Sequence, residues 1–317
     1  MSRRPREHHS ILVYHSSDAK RYATLIRAPR GVAVHTAASV DDARAVIADV
    51  DIAYAWKMPS ELYHAATRLR WLQAMGAGVD WVLAAPLPDG VTVTRAPGIF
   101  GPWMAEYTLG WCLWVTQRMD GFRASQRQRR WAPVDPVPLR GQTLCVIGLG
   151  DIGGSIAKLA RALGMQVIGV TRSGRASRDA LRVYRTKALR AALARADFAV
   201  LTLPLSDETR GLVGAAELAA MKPTAWLLNL ARGPIVDEAA LLEALRGRRI
   251  AGAVLDVFDT EPLPTDHPLW GLDNVVVTPH ISGPSTPREI GPIFNDNLRR
   301  YTANRPLRHT VDRTVGY

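Results

Sequence analysis

Three residues of this 317-residue chain carry the side chains that an acid-assisted reduction needs: Arg232 in LNLARGPIVDEAAL, Glu261 in LDVFDTEPLP and His280 in VVVTPHISGP. Each lies where an apolar run gives way to a segment punctuated by glycine or proline. Reducing a 2-oxo acid requires hydride at the carbonyl carbon, a proton for the developing alkoxide and a fixed cation for the carboxylate. An imidazole can supply that proton near neutral pH. A carboxylate bonded to its second ring nitrogen stabilises the imidazolium. A guanidinium binds the substrate carboxylate and polarises the carbonyl in a geometry that lysine reproduces poorly. Taken singly, each residue also has an ordinary structural reading: a core histidine, a turn glutamate before proline, a surface arginine.

A second motif lies upstream. Gly148, Leu149, Gly150, Asp151, Ile152 and Gly153 form a GxGxxG string directly after the apolar run TLCVI and at the start of the helical GSIAKLARALG. The first glycine permits a tight turn, the second lets the backbone approach a pyrophosphate, and the third lets helix and strand pack closely. The string alone is weak evidence; its strand-turn-helix setting makes it a dinucleotide fingerprint. An acid at the end of the following strand would bond a ribose 2′-hydroxyl and repel a 2′-phosphate. That position reads Thr171, Arg172, Ser173, Gly174, Arg175, with no acid. NADPH is therefore expected over NADH, with Arg172 and Arg175 on the 2′-phosphate and the Thr171 and Ser173 hydroxyls assisting. The alternative is two solvated loop arginines.

The elements that must position these residues follow from periodicity. Between residues 11 and 100, the runs ILVYH, VAVHT, DIAYAW, LRWLQAMGAG and VTVTRAP read as strands, with helical stretches at 41–48 and 60–67. Pro97-Gly98 and Gly101-Pro102 mark a break before an apolar helix over 103–123. From Gly141 the pattern is regular: TLCVIG, MQVIGVT, FAVLTLP, AWLLNLA, GAVLDVF and NVVVTPH, separated by helices and indicating a parallel sheet covered on both faces. Gly283-Pro284 announces a second crossing, and the remaining segment is too short for a domain of its own. The expectation is an α/β protein of two Rossmann-like domains. Residues 100–284 would form a doubly wound cofactor domain, and residues 1–99 plus 285–317 a smaller flavodoxin-like substrate domain.

Composition narrows the function classes. The formal net charge is +11, almost all of the excess being arginine spread along the chain, and no nucleic-acid motif accompanies it. Such a field would instead attract an anionic substrate and a phosphate-bearing cofactor. Cys112 and Cys145 lie in apolar runs and lack metal-site spacing, which reads as two reduced, buried thiols of a cytoplasmic protein with no metal. The basic start MSRRPREHHS lacks the apolar core of a signal peptide, and the most apolar helix is short and contains Glu106, so no membrane span is expected.

Together with their surroundings, these residues resemble the D-isomer-specific 2-hydroxyacid dehydrogenases. The matching strings are MGAGVD (75–80), MAEYTLG (104–110), GLGDIGGSIAKLARALGM (148–165), LLNLARGPIVDEAALLEAL (227–245), GAVLDVFDTEPLP (252–264) and HPLWGLDNVVVTPHISG (267–283). The resemblance implies catalytic roles for Arg232, Glu261 and His280. It further implies that the turn Gly76, Ala77, Gly78 grips the substrate carboxylate through backbone amides. Asp256 would contact the nicotinamide carboxamide, Leu203 and Pro204 would lie against the adenosine half, and Met104, Leu230, Ala231 and Ser282 would line the cofactor. The helix beginning near Met104 would form a homodimer interface, with Trp103, Tyr107, Trp111 and Trp114 as one stripe that could equally be intramolecular core.

Within the family, the 171–175 segment, AWKMP (55–59) and the terminal VDRTVGY look most like the glyoxylate/hydroxypyruvate reductase A group. Trp56, with Lys57 and Met58, would then line the substrate mouth beside Met75, unless Trp56 closes the small domain's core. Glu261 stands where formate dehydrogenases of this fold use glutamine. Pro234 departs from the small or β-branched residues common in relatives and should stiffen the loop without moving Arg232. The leading expectation is NADPH-dependent reduction of glyoxylate or hydroxypyruvate, with two domains closing over cofactor and substrate. The alternatives are a non-catalytic NAD(P)-sensing or corepressor-like protein, and the same chemistry on a bulkier 2-oxo acid.

Overall fold

The computed structural model describes residues 9–313; the basic start at 1–8 and the last four residues of the VDRTVGY tail lie outside the described residues. The chain falls into two compact units, one running to Ile99 and resuming at Ser285, the other Phe100–Pro284. Both are α/β with every sheet pairing parallel.

The first unit contains β1 (Ser10–Tyr14), β2 (Ala33–Ala37), β3 (Ile52–Ala55), β4 (Trp71–Ala74) and β5 (Thr92–Thr94), in the order β2-β1-β3-β4-β5. This is the flavodoxin-type doubly wound order. The central strands are buried along their whole length, as a sheet covered on both faces requires. The closing helix Pro287–Thr302 starts at a Thr286 cap that accepts from Glu289 N, with proline at its first turn. Its Phe294 stacks on Tyr54 and Trp71, with ring centroids 4.1 and 5.2 Å apart, which ties the returning segment into this core. One sequence expectation changes here. The 60–67 stretch is a tight 3-10 turn over Ser60–Ala65. Past the closing helix, Thr310 also bridges Thr94 antiparallel to the edge strand, a pairing without a sequence signal.

The second unit contains β6 (Thr143–Ile147), β7 (Gln166–Thr171), β8 (Arg182–Arg185), β9 (Phe198–Leu201), β10 (Trp226–Asn229), β11 (Gly252–Leu255) and β12 (Val275–Val277). Their order is β12-β11-β10-β9-β6-β7-β8. The chain moves outward from β6 one way and from β9 the other, so the switch point lies between these two strands, where doubly wound sheets bind ligands beyond their carboxyl ends. Strand β8 was not expected: a helix was expected between β7 and β9, yet RVYR pairs at the sheet edge, where flanking charges are the usual protection. The helix expected over 103–123 is two helices, Phe100–Thr116 and Met119–Arg127, because Arg118 adopts a left-handed φ of 51°. Among the described residues no helix is long and apolar enough to cross a membrane.

Candidate active site

Strand direction concentrates the chemistry. Because the strands are parallel, the loops after β6, β7, β9, β10, β11 and β12 all leave the same edge of the sheet, and these loops carry the glycine string, residues 171–175, Leu203-Pro204, Arg232, Glu261 and His280 in turn. Arg232, Glu261 and His280 follow three neighbouring strands, spanning roughly 10 Å at ordinary strand spacing.

Glu261 Oε2 lies 2.9 Å from His280 Nδ1, and its Oε1 accepts the Phe258 amide at 3.2 Å. The carboxylate is thus fixed by one backbone bond and fixes the imidazole in turn. Their side chains are 24% and 29% exposed, open enough to meet a ligand and sheltered enough to strengthen the pair. His280 has a φ of 52°, a left-handed conformation that a non-glycine residue keeps only where its surroundings impose it. Its amide donates to the Asp256 and Thr278 carbonyls at 2.9 and 3.1 Å.

Asp256 is fully buried, and its carboxylate accepts from Thr278 Oγ1 at 2.7 Å and from the Ile281 and Ser282 amides at 2.9 Å each. In this structure it organises the histidine loop. Gly283, just beyond, packs on Met104 and Phe100 of the long helix.

Arg232 is half-buried on extended backbone, and its guanidinium donates to the Ala231 carbonyl at 2.6 Å. Asn229 secures the loop from β10: its Nδ2 donates to the Arg232 carbonyl at 3.0 Å and its Oδ1 accepts from the Ala231 amide at 3.1 Å. Gly233 is obligatory, since a Cβ there would lie 2.1 Å from the Phe258 carbonyl carbon. Leu230 and Ala231 are buried beneath the loop, and Pro234 opens a 3-10 turn whose carbonyl accepts from Gly211.

The glycine string fits a dinucleotide. Gly148 has a φ of 105°, and a side chain there would press on the backbone of Thr202 and Leu203; at Gly153 a Cβ would fall 1.9 Å from the Gly148 carbonyl oxygen. Gly150 caps the helix Asp151–Ala162 and faces open space, with nothing within 4 Å of a would-be Cβ. Amide donors and open room at a helix N-terminus are what a pyrophosphate requires. Leu149 packs on Gly169 of β7. At the end of β7, Thr171 Oγ1 accepts from the Gly174 amide and Ser173 Oγ from the Arg175 amide, shaping the turn. Arg172 forms a 3.1 Å ion pair with Glu208, which the sequence reading did not include.

In the first unit, Trp56 lies against the Gly76 backbone, where a Cβ would meet its ring at 2.6 Å, and Lys57 Nζ sits 5.9 Å from the same ring centroid. Trp56 is half-buried and also packs on the core of that unit. Ala77 and Gly78 are partly exposed. The expectation for Met75 and Met58 requires correction. These residues are 0% and 3% exposed and belong to the apolar clusters of the first unit, so neither lines a mouth.

The aromatic stripe is also divided. Tyr107 bonds Thr278 at 2.5 Å, while Trp111, Trp114 and Trp226 form an edge-to-face series within the unit; Trp103 is 41% exposed. Sequence reading missed Asn229 and Thr278 as site-forming residues. Their signal was a short polar side chain at the end of a buried strand, close before Arg232 and His280.

A doubly wound sheet with a glycine-rich first turn and a carboxylate-imidazole pair at its carboxyl edge defines a dinucleotide-dependent oxidoreductase. The chain belongs to the D-isomer specific 2-hydroxyacid dehydrogenase family: residues 109–282 match the family model described as "D-isomer specific 2-hydroxyacid dehydrogenase, NAD binding domain". It is 34% identical over 275 residues to glyoxylate/hydroxypyruvate reductase A of Serratia proteamaculans, covering 84% of this chain and 88% of that one. Among solved structures it resembles a family protein of Aeromonas salmonicida, with 37% identity, TM-score 0.91 and coverage of 97% and 100%. It also resembles the NADPH-dependent glyoxylate/hydroxypyruvate reductase of Sinorhizobium meliloti solved with NADP and sulfate, with 30% identity, TM-score 0.88 and coverage of 97% and 99%.

Proposed function

We propose that this protein reduces glyoxylate or hydroxypyruvate to the corresponding 2-hydroxy acid with NADPH, acting as a cytoplasmic homodimer. The observation that carries the proposal is the 2.9 Å pair between Glu261 and His280 on the loops after β11 and β12, next to the strand that delivers Arg232. Arg232 receives the substrate carboxylate and polarises the carbonyl, and the backbone amides of Ala77 and Gly78 are assigned to carboxylate binding on the resemblance alone. Glu261 accepts the Nδ1 proton of His280 and so holds the ring in one orientation. His280 Nε2 then gives its proton to the carbonyl oxygen as the alkoxide develops.

Gly148, Gly150 and Gly153 would hold the cofactor pyrophosphate, and Thr171, Arg172, Ser173 and Arg175 its 2′-phosphate. Met104, Leu203, Pro204, Leu230, Ala231, Asp256 and Ser282 are assigned to the remainder. When bound, the reduced nicotinamide supplies the hydride. The absence of an acid after β7 supports NADPH over NADH, and the Sinorhizobium meliloti relative is described as NADPH-dependent. The exposed Trp103 and the partly exposed Trp111 and Trp114 support a dimer contact by the long helix.

The test is a kinetic panel of glyoxylate, hydroxypyruvate, phenylpyruvate and a branched-chain 2-oxo acid with each cofactor, on the wild type and His280→Ala. The two small acids with NADPH should give the highest kcat/KM, and His280→Ala should lose about 10²-fold or more of kcat. Inactivity with every acid would favour a sensor, a bulky acid ahead of the small ones would change the substrate, and an unimpaired His280→Ala would remove the proton donor. A monomer mass by light scattering at micromolar concentration would dismiss the dimer.

A further inference from the structure

The histidine loop is held from behind by a partly buried series of hydrogen bonds. Thr278, two residues before His280, donates its hydroxyl proton to Asp256 Oδ1 at 2.7 Å, and the Tyr107 phenol lies 2.5 Å from the same Thr278 oxygen. A hydroxyl carries one proton, and Thr278 gives it to the carboxylate, so Tyr107 is the donor of the second bond. Burial, followed by the nearby Asp256 charge, pushes the Tyr107 phenol above its ordinary value, and the group remains a donor throughout the neutral range.

The same carboxylate accepts the Ile281 and Ser282 amides, and the Asp256 carbonyl accepts the His280 amide. Residues on both sides of His280 are therefore tied to Asp256. This is the anchorage that a left-handed φ of 52° at a histidine needs. Tyr107 reaches it from the helix Phe100–Thr116, 171 residues away in sequence.

We propose that Tyr107 and Thr278 are positioning residues for the reduction, acting in series through Asp256 to keep the His280 ring on Glu261. The inference rests on the reading of His280 as proton donor. Tyr107 fixes the rotor of the Thr278 hydroxyl, and Thr278 supplies one of the three donors that the fully buried Asp256 carboxylate receives. A serial arrangement has a particular consequence: removing the phenol oxygen matters only while the Thr278 hydroxyl is present.

The experiment measures kcat and KM for glyoxylate with NADPH, NADPH affinity by fluorescence titration without substrate, and Tm. The variants are Tyr107→Phe, Thr278→Val, Thr278→Ser, the Tyr107→Phe/Thr278→Val double variant and His280→Ala. Loss of one such hydrogen bond should lower kcat about fivefold in Tyr107→Phe, and somewhat more in Thr278→Val, with little change in the glyoxylate KM. Thr278→Ser should restore the rate, and the double variant should match Thr278→Val.

The proposal is overturned if Tyr107→Phe keeps the wild-type kcat, if the two losses add, or if Thr278→Ser is as slow as Thr278→Val. Should Thr278→Val fold poorly by Tm, Tyr107→Phe, which preserves the ring, decides the matter. Undiminished turnover in His280→Ala overturns the proton-donor reading and the proposal with it. An inactive His280→Ala beside an unimpaired Tyr107→Phe overturns the proposal alone.

Discussion

Replacing Gly233 with alanine tests whether the loops after β10 and β11 form one positioning device. The added Cβ would lie 2.1 Å from the Phe258 carbonyl carbon, 2.4 Å from the Asp259 nitrogen and 2.5 Å from the Phe258 oxygen, against 3.4 Å for ordinary contact. All three are backbone atoms, so no side chain can swing aside, and the two loops must separate by more than an ångström. The Arg232 carbonyl is tethered by Asn229, and the Phe258 amide holds Glu261, so either the guanidinium or the acid behind His280 is displaced. Misplacement of a catalytic group by about 1 Å can cost on the order of 10²-fold in rate. Overpacking of this kind costs about 1–3 kcal/mol. For a unit of this size that corresponds to a fall in Tm of roughly 2–12 °C. The assay is kcat with the best 2-oxo acid, Tm by circular dichroism, and NADPH affinity, which should change least because the glycine string follows a different strand. A Gly233→Ala protein with wild-type kcat and Tm would show that the loops do not depend on this approach.

Gly150→Ala should behave in the opposite way: its Cβ meets nothing, so Tm is retained, whereas NADPH affinity falls about tenfold or more from obstruction of the phosphate approach, read by fluorescence titration. Arg172→Asp should move kcat/KM toward NADH. Glu208→Gln should tighten NADPH by about two- to fivefold and leave NADH unchanged, because the exposed 3.1 Å ion pair competes with a 2′-phosphate and such pairs are worth at most about 1 kcal/mol. Burial pushes the Cys145 thiol up to about 12 and the Cys112 thiol higher still, so neither should react with a thiol reagent near neutral pH until the protein is unfolded, as a colorimetric count would register.

What was legible in the sequence depended on whether a residue acts by its type or through a partner. Gly148, Gly150 and Gly153 could be read because one spacing, placed between a strand and a helix, has one stereochemical use, which the crowding around Gly148 and Gly153 and the open space at Gly150 express. The α/β class followed from long apolar runs that only a covered parallel sheet buries. Met75 was misread because the direction of a side chain at a strand end depends on register, which a string such as QAMGAG does not specify. Strand β8 was missed because RVYR gains its strand character from pairing with β7 and not from its own composition. Tyr107 and Thr278 escaped for a related reason: their significance is a bond between residues 171 positions apart, and each alone resembles an aromatic of a helical stripe or a strand-end threonine.

The same distinction separates two kinds of residue around the carboxyl edge of the second sheet. On the proposed reading Arg232, Glu261 and His280 present the reacting atoms, and each is placed by other groups: Asn229 holds the arginine loop, the Phe258 amide holds the glutamate, and Asp256 holds the histidine loop. Deleting a presented side chain removes a function from a half-exposed position and leaves little uncompensated burial. Deleting Asn229 or Asp256, which are 2% and 0% exposed, strands buried amides or a carbonyl without partners, a cost of about 1–3 kcal/mol for each group. Loss of rate without loss of stability thus marks the presenting residues, and loss of both marks their supports. The three loops leave adjacent strands; those after β10 and β11 share the Phe258 backbone between Gly233 and Glu261, and Asp256 joins the latter to the histidine loop, so the supports are coupled and damage to one is transmitted to its neighbour.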